Sequence, residues 1–233
     1  MRLHEAQAEA TPAAPPQRQL HRLQLASLPS PVSLPKPAAE EENTPERADN
    51  HYERSVGTVI HLALEELSLL GQVPDSDTEP DPLRWRQALQ REGLWGTALE
   101  EGLARVLESL QSTLHSEEGR WVLSPDHLDR RSEWSLTTRS AEGAIVDMVI
   151  DRSFIDAGTG CRWIVDYKSS RPEPGEPWQD FARREGESYR KQLLGYRDTL
   201  RLLDPRPLRC GLYFTVLGRL HTLDDLSLPE SVA

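Results

Sequence analysis

The chain has 233 residues, of which 37% are hydrophobic, and a formal net charge of −11. That length suffices for one sizeable domain and an appendage, and no apolar run approaches the roughly 20 residues that a membrane span needs. The two cysteines, Cys161 and Cys210, provide neither a disulfide framework nor a metal-binding pair. Because the first residues show no apolar signal region, we expect a cytoplasmic protein with no membrane partner.

The N-terminal residues differ in composition from the rest of the chain. Residues 1–50 hold eight of the 18 prolines and the acidic segment AEEENTPE. This composition is typical of a linker or an extended arm. We therefore expect an arm over residues 1–50, one folded domain over 51–224 and a short tail over 225–233.

The first part of the domain is predicted to be helical. SVGTVIHLALEELSLLG places its apolar residues at helical spacing, with Ser55 as the candidate N-cap and Gly71 after the end. The loop QVPDSDTEPDP follows. Two more helices are expected near residues 82–92 and 96–114, with their acids facing solvent.

A β section follows the helices. SEWSLTTR, GAIVDMVIDRSFID and CRWIVDYK read as three strands, with GTG as the turn between the second and the third. FARREGESYRKQLLGYRDTLRLL has the apolar spacing of a helix, and LRCGLYFTVLG and RLHTL read as closing strands. The predicted order is thus a helix, a helical insertion, three strands, a helix and a strand.

Two acids lie where the second and third strands should meet. Asp151 precedes Asp166 with a turn at residues 157–160 between them, so a hairpin would place both at the same end of neighbouring strands. Two carboxylates that converge on one point suit Mg²⁺. Asp147 shares the strand face of Asp151, but its position further back favours a structural or supporting role.

Lys168 shares a strand face with Asp166, and two interpretations of this pair are open. The pair could be a solvated ion pair at a strand end, worth roughly 0 to 1 kcal/mol. Alternatively, Lys168 could stabilise an attacking hydroxide or the phosphate in a metal-assisted hydrolysis of phosphodiesters. Only three of the 27 basic residues are lysines, which favours a specific use for Lys168.

Three motifs carry a resemblance to a known family. GTVIHLALE, VIDRSFID…RWIVDYKSSRP and YRKQLLGYRDTL resemble the PD-(D/E)XK nucleases, and more narrowly the RecB/AddA-type nuclease domain at the C-terminus of UvrD-like bacterial helicases. The resemblance covers about residues 52–222. It implies an α/β, restriction-endonuclease-like αβββαβ core, in which helices flank a mixed central sheet and a helical insertion follows the first core helix.

The resemblance also implies site residues. Asp151, Asp166, the backbone carbonyl of Tyr167 and His61 would bind Mg²⁺ or Mn²⁺, and Lys168 would orient or activate water. Asp151, Asp166 and Lys168 are then the expected catalytic residues.

Three further residues belong to this expectation with less definite roles. Gln192 and Tyr196 match the family's QxxxY motif, which implies a place beside the site, where the amide can hold a DNA phosphate or the catalytic lysine. Glu133 opens the first strand, and it is equally compatible with a solvated edge acid and with an additional active-site acid.

The charge distribution points to a surface for DNA. Residues 61–118 contain twelve acids and four arginines, whereas residues 181–209 contain eight basic groups and four acids. Arg183, Arg184 and Arg190 are therefore candidate contacts to backbone phosphates. The acidic section should lie away from the path of the DNA.

The expected activity is that of a metal-dependent deoxyribonuclease in DNA repair and recombination. The chain contains no GxxxxGK[ST] motif, so it cannot be a helicase by itself. The resemblance implies single-stranded or unwound DNA ends as substrate and a UvrD-like helicase as a partner in cis or in trans. Two alternatives remain open: a non-catalytic module that docks DNA or a helicase, and a nuclease that acts on RNA.

Overall fold

A five-stranded mixed sheet flanked by helices organises the part of the chain that the structure describes. The structure is a computed structural model, and it describes residues 51–139, 143–223 and 226. In chain order the elements are α1 (His51–Leu69), α2 (Pro82–Arg91), α3 (Gly96–His115), α4 (Glu117–Leu123), β1 (Leu128–Arg139), β2 (Ile145–Ile155), β3 (Arg162–Lys168), α5 (Trp178–Arg201), β4 (Leu208–Phe214) and β5 (Arg219–Thr222).

The strands lie in the order β1-β2-β3-β4-β5. Neighbouring strands are antiparallel except for β3 and β4, which are parallel. A parallel pair needs a crossover connection, and α5 supplies it. With α2 to α4 inserted after α1, the element order is the expected αβββαβ core, so the predicted fold class is confirmed.

The alternation of side chains along β3 creates two apolar cores, one on each face of the sheet. Trp163, Val165 and Tyr167 pack in the core that contains α1 and the inserted helices. Ile164 packs on the other face, in the core that contains α5. Asp166 has the parity of Ile164, so its carboxylate lies on the face covered by α5.

One local prediction was wrong, and one helix was not predicted. Ser55 is not an N-cap, because α1 begins four residues earlier; its buried hydroxyl donates instead to the carbonyl of Glu92 at 3.3 Å. The short helix α4 was not predicted. Its N-cap is Ser116, whose hydroxyl accepts the N–H of Gly119 at 2.8 Å, a signal that the sequence does carry.

The chain ends lie largely outside the described residues. This applies to the expected arm over residues 1–50 and to the expected tail, of which the structure describes Leu226 alone. Leu226 is buried in the core that contains α5. Within the described part of the chain, no helix has both the length and the apolar character needed to cross a membrane.

Candidate metal and catalytic site

The two predicted acids face each other across β2 and β3. The register pairs Arg152 with Val165, so the next position along places Asp151 opposite Asp166. Backbone pairing stops before that position, and the Asp151 carboxylate accepts the Tyr167 N–H at 2.7 Å. Beyond the last backbone pair, the Asp151 carboxylate therefore supplies the hydrogen bond between β2 and β3.

Glu133 extends this pair into a row of three acids. The β1–β2 register pairs Ser132 with Arg152, which places Glu133 opposite Asp151 at the next position. Glu133 has a φ of +46°, a left-handed conformation that costs a residue with a Cβ about 1 kcal/mol or more. The row of Glu133, Asp151 and Asp166 therefore crosses three adjacent strands.

Helix α1 brings His61 to the middle of this row. Its Nδ1 lies 3.5 Å from Asp151 Oδ1 and 3.9 Å from Glu133 Oε1, and its Nε2 lies 3.2 Å from the carbonyl oxygen of Tyr167. One ligand atom from each of His61, Glu133 and Asp151 lies within 4.8 Å of the others. One nitrogen and several hard oxygens therefore surround a single point.

The protonation of His61 follows from these contacts. Both ring nitrogens face oxygen acceptors, and only the imidazolium carries a proton on each. Burial alone would lower the His61 pKa, but the hydrogen bond and charge of Asp151, with the charges of Asp166 and Glu133, outweigh burial and raise the pKa. A proton on His61 thus supplies positive charge at the point where a metal cation could bind.

Asp166 is the most deeply buried acid of the row. It is 2% exposed, and burial together with the nearby charge of Asp151 raises its pKa to about 6, although Lys168 and His61 act in the opposite direction. The Lys168 ammonium lies 2.6 Å from Asp166 Oδ2 as an ion pair. Asp166 lies outside the group formed by His61, Glu133 and Asp151, because its two oxygens face other partners.

Helix α5 supplies three side chains to the Asp166–Lys168 pair. The Gln192 amide donates to Asp166 Oδ1 at 3.1 Å and to the Tyr196 hydroxyl at 2.6 Å. One turn earlier, the face of the Tyr189 ring lies beneath Lys168, with 3.5 Å between Nζ and the ring centroid. The QxxxY motif thus contacts Asp166 through Gln192, and its described side-chain hydrogen bonds do not reach the lysine.

A cleft of about 600 Å³ opens next to these residues. Its lining includes His61, Tyr167, Lys168 and Tyr189 from the site, together with Arg184 from α5. Arg184 forms ion pairs with Glu176 and Glu185. A phosphate bound there would compete with those two carboxylates for the guanidinium.

The other two predicted arginines do not line the cleft. Arg183 is 73% exposed and pairs with Asp180 one turn earlier on the helix. Arg190 pairs with Glu187 in the same way at 3.8 Å. Of the arginines predicted to contact DNA, Arg184 therefore lines the cleft, and Arg183 and Arg190 do not.

Arg105 and Tyr189 were not predicted to contact the site. Arg105 from α3 donates to the carbonyl of Ser169 at 2.7 Å and forms an ion pair with Glu53 at 2.6 Å, so it fixes the backbone just after Lys168. No local signal in the sequence singles it out, because Ser169 lies 64 positions away. Tyr189 did carry a signal, since it precedes Gln192 by one helical turn.

The acidic section of residues 61–118 contributes little negative charge to the cleft. The residues of this section that line the cleft are His61 and Arg105, neither of which is acidic. Asp147, the other acid on β2, accepts a hydrogen bond from the Thr137 hydroxyl at 2.7 Å, and it is exposed. It therefore takes no part in the group around His61.

Comparison with known proteins agrees with this arrangement. The chain matches none of the curated proteins with which it was compared. The family model described as the PD-(D/E)XK nuclease superfamily matches residues 38–221, a span that contains every residue of the site. With its αβββαβ core and acids on adjacent strands, the chain belongs to the PD-(D/E)XK nuclease superfamily.

Proposed function

We propose that the protein is a deoxyribonuclease that hydrolyses DNA phosphodiester bonds with Mg²⁺ or Mn²⁺. The observation that carries this proposal is the row of Glu133, Asp151 and Asp166 across three strands, with His61 beside it and Lys168 at the cleft. Acids that lie close together repel one another, and Asp166 is buried as well. A site that gathers them so closely gains stability when a divalent cation binds.

The donor atoms fit a hard divalent cation. Asp151 and the Tyr167 carbonyl offer oxygens, His61 offers a ring nitrogen once it has lost its proton, and Glu133 offers a further carboxylate. Asp166 can add an oxygen when Gln192 or Lys168 gives up its contact. Mg²⁺ prefers one or two carboxylates together with water and phosphate oxygens, and Mn²⁺ accepts the same ligands and an imidazole. When bound, such a cation would act as a Lewis acid and neutralise charge on the phosphate.

Lys168 has a proposed role that is separate from metal binding. Lys168 presents a compact positive charge at the cleft, where it can stabilise negative charge that develops on the phosphate or orient the attacking water. Burial would lower the pKa of the Lys168 ammonium, but the charge and hydrogen bond of Asp166, with Tyr189 and Asp151, together outweigh burial and raise the pKa. The raised pKa favours an electrostatic role over that of a proton acceptor.

Gln192 and Tyr196 hold Asp166 in place, because the Gln192 amide bridges the carboxylate and the phenol. With its charge at the cleft, Arg184 would bind a backbone phosphate. We assign Arg183 and Arg190 a weaker contribution through the general positive charge of α5.

The biological setting is proposed from the resemblance of the three motifs to RecB/AddA-type domains. We propose that the substrate is single-stranded or unwound DNA, that a UvrD-like helicase acts with this domain in cis or in trans, and that the process is DNA repair and recombination in the cytoplasm. The cleft is compatible with a single strand whose phosphates follow Arg184 and Lys168.

Digestion of labelled DNA tests the proposal. Single-stranded DNA, double-stranded DNA and RNA are incubated with the protein in Mg²⁺, Mn²⁺, Ca²⁺ or chelator. We expect cleavage of DNA in Mg²⁺ or Mn²⁺, loss of cleavage in chelator and loss of cleavage in Asp166→Asn. The matched control is Asp147→Asn, an acid of β2 outside the site, which should cleave normally.

The other outcomes identify the alternatives. Binding of DNA without cleavage under any condition would indicate a docking module, and cleavage of RNA alone would indicate a ribonuclease. Equal cleavage with and without chelator would contradict the metal-dependent mechanism.

A further inference from the structure

The ammonium of Lys168 has two close neighbours of different kinds. Asp166 Oδ2 lies 2.6 Å from Nζ, and the centroid of the Tyr189 ring lies 3.5 Å from it. A cation within about 6 Å of a ring face is attracted by the negative face of the π system. The Lys168 side chain is 15% exposed, so little water competes with this attraction.

Both members of the Asp166–Lys168 pair are held by one helix. Gln192 donates to Asp166, and Tyr189, one turn earlier on α5, contacts Lys168. Tyr189 also lines the cleft and packs at the edge of the apolar core below α5. The helix therefore fixes the carboxylate and the ammonium relative to each other.

A lysine side chain needs this kind of support. Its flexible four-carbon stem lets the ammonium occupy many positions, and holding one of them costs conformational entropy. Asp166 alone sets a distance, but it leaves the ammonium free to move around the carboxylate oxygen. A second contact, with the ring face, restricts that movement.

We propose that Tyr189 is a positioning residue that holds the Lys168 ammonium at the cleft through the face of its aromatic ring. This inference rests on the proposed nuclease function of Lys168. The ring touches the lysine rather than the reacting phosphate, so a phenylalanine should replace it and an aliphatic side chain of similar volume should not.

The first test measures the position of Lys168 without any assay of cleavage. The chain has only three lysines, Lys36, Lys168 and Lys191, so protein labelled with ¹³C at lysine Cε gives three assignable signals. Protons above a ring face are shifted upfield. We expect an upfield-shifted Lys168 signal in the wild type and in Tyr189→Phe, and a loss of that shift in Tyr189→Leu and Tyr189→Met.

The second test measures single-turnover cleavage of labelled DNA by the same variants. We expect Tyr189→Phe to keep most of the wild-type rate, and Tyr189→Leu and Tyr189→Met to lose about tenfold in the maximal single-turnover rate, with little change in the enzyme concentration that gives half of that rate. Leucine and methionine fill the space of the tyrosine ring differently. The test therefore needs only one of these two variants to have the Tm of the wild type.

The outcomes separate this inference from the function on which it rests. A Lys168 shift that survives in the aliphatic variants, or an unchanged cleavage rate after the shift is lost, would overturn the role of Tyr189. Failure of the proposed function would appear differently, as wild-type cleavage that is insensitive to chelator and to Lys168→Ala.

Discussion

Asp151 joins the backbone of one strand to the imidazole of His61. Its Oδ2 accepts the N–H of Tyr167 at 2.7 Å, while its Oδ1 lies 3.5 Å from Nδ1 of His61. One oxygen therefore fixes the end of β3, on which Asp166 and Lys168 lie, and the other faces the proposed cation. Because the two oxygens have different contacts, a substitution that keeps one of them can weaken metal binding without disrupting the fold.

Replacement of Asp151 by Asn should preserve the fold and weaken metal binding. The amide oxygen can still accept the Tyr167 N–H, but the negative charge is lost. A metal at 100 times its Kd stabilises the wild type by about 2.7 kcal/mol, and we expect most of this to disappear. Thermal melting with Mn²⁺ and with chelator measures the difference.

Asp147→Asn is the matched control for that experiment, because Asp147 lies on the same strand and bonds to Thr137 instead. It should keep the full metal-dependent rise in Tm. An equal loss in the two variants would indicate general damage to β2 rather than removal of a ligand.

Glu133→Gly should have opposite effects with and without metal. Glycine adopts the left-handed conformation without strain, and the change also removes a charge near Asp151 and Asp166. We expect the metal-free protein to gain about 1 kcal/mol of stability, while the metal-induced rise in Tm becomes smaller.

Glu133→Gln separates the effect of the charge from the effect of the backbone strain, since it removes the charge and keeps the strained backbone. It should lose the metal response without the full gain in metal-free stability. An unchanged metal response in both variants would show that Glu133 is a solvated edge acid.

The metal-free protein should become less stable as the pH rises from about 5 to 8. The pKa of Asp166 is raised to about 6 and the pKa of His61 is raised too, so the folded state binds protons more tightly than the unfolded state. Stability from these groups is present at low pH and is lost as the pH passes through the raised pKa values.

Melting in chelator across this pH range, for the wild type and Asp166→Asn, checks that expectation. The variant should show a shallower decline, and Mn²⁺ should stabilise the wild type more at pH 8 than at pH 5. A wild-type Tm that rises with pH relative to the variant would contradict the assigned direction.

Arg184 and Arg183 offer a comparison of adjacent arginines on α5. Arg184 lines the cleft and Arg183 does not. In an Asp166→Asn background that prevents cleavage, Arg184→Ala should weaken binding of single-stranded DNA and reduce the salt slope by about one counterion. Arg183→Ala should have a smaller effect on both. Equal effects would indicate a diffuse basic surface without a phosphate contact in the cleft.

The sequence predicted those parts of the site that depend on local pattern. The turn between β2 and β3 and the alternation along both strands were enough to place Asp151 opposite Asp166. The position of Glu133 could not be predicted in the same way, because its φ of +46° departs from the extended backbone that a strand residue is expected to adopt. Arg105 reaches Ser169 from the inserted helix, and only the tertiary fold brings these two residues together.

The single-turnover cleavage rate of Lys168→Arg tests the central claim most directly. The Lys168 ammonium is compact and fits between Asp166 and the Tyr189 ring, whereas a guanidinium is larger, planar and prone to bidentate pairing with a carboxylate. If Lys168 serves the reaction, the variant should melt like the wild type, keep its metal response and cleave DNA at least about 100-fold more slowly. If Lys168 is only an ion-pair partner at a strand end, the variant should cleave at nearly the wild-type rate, and that result would contradict the account.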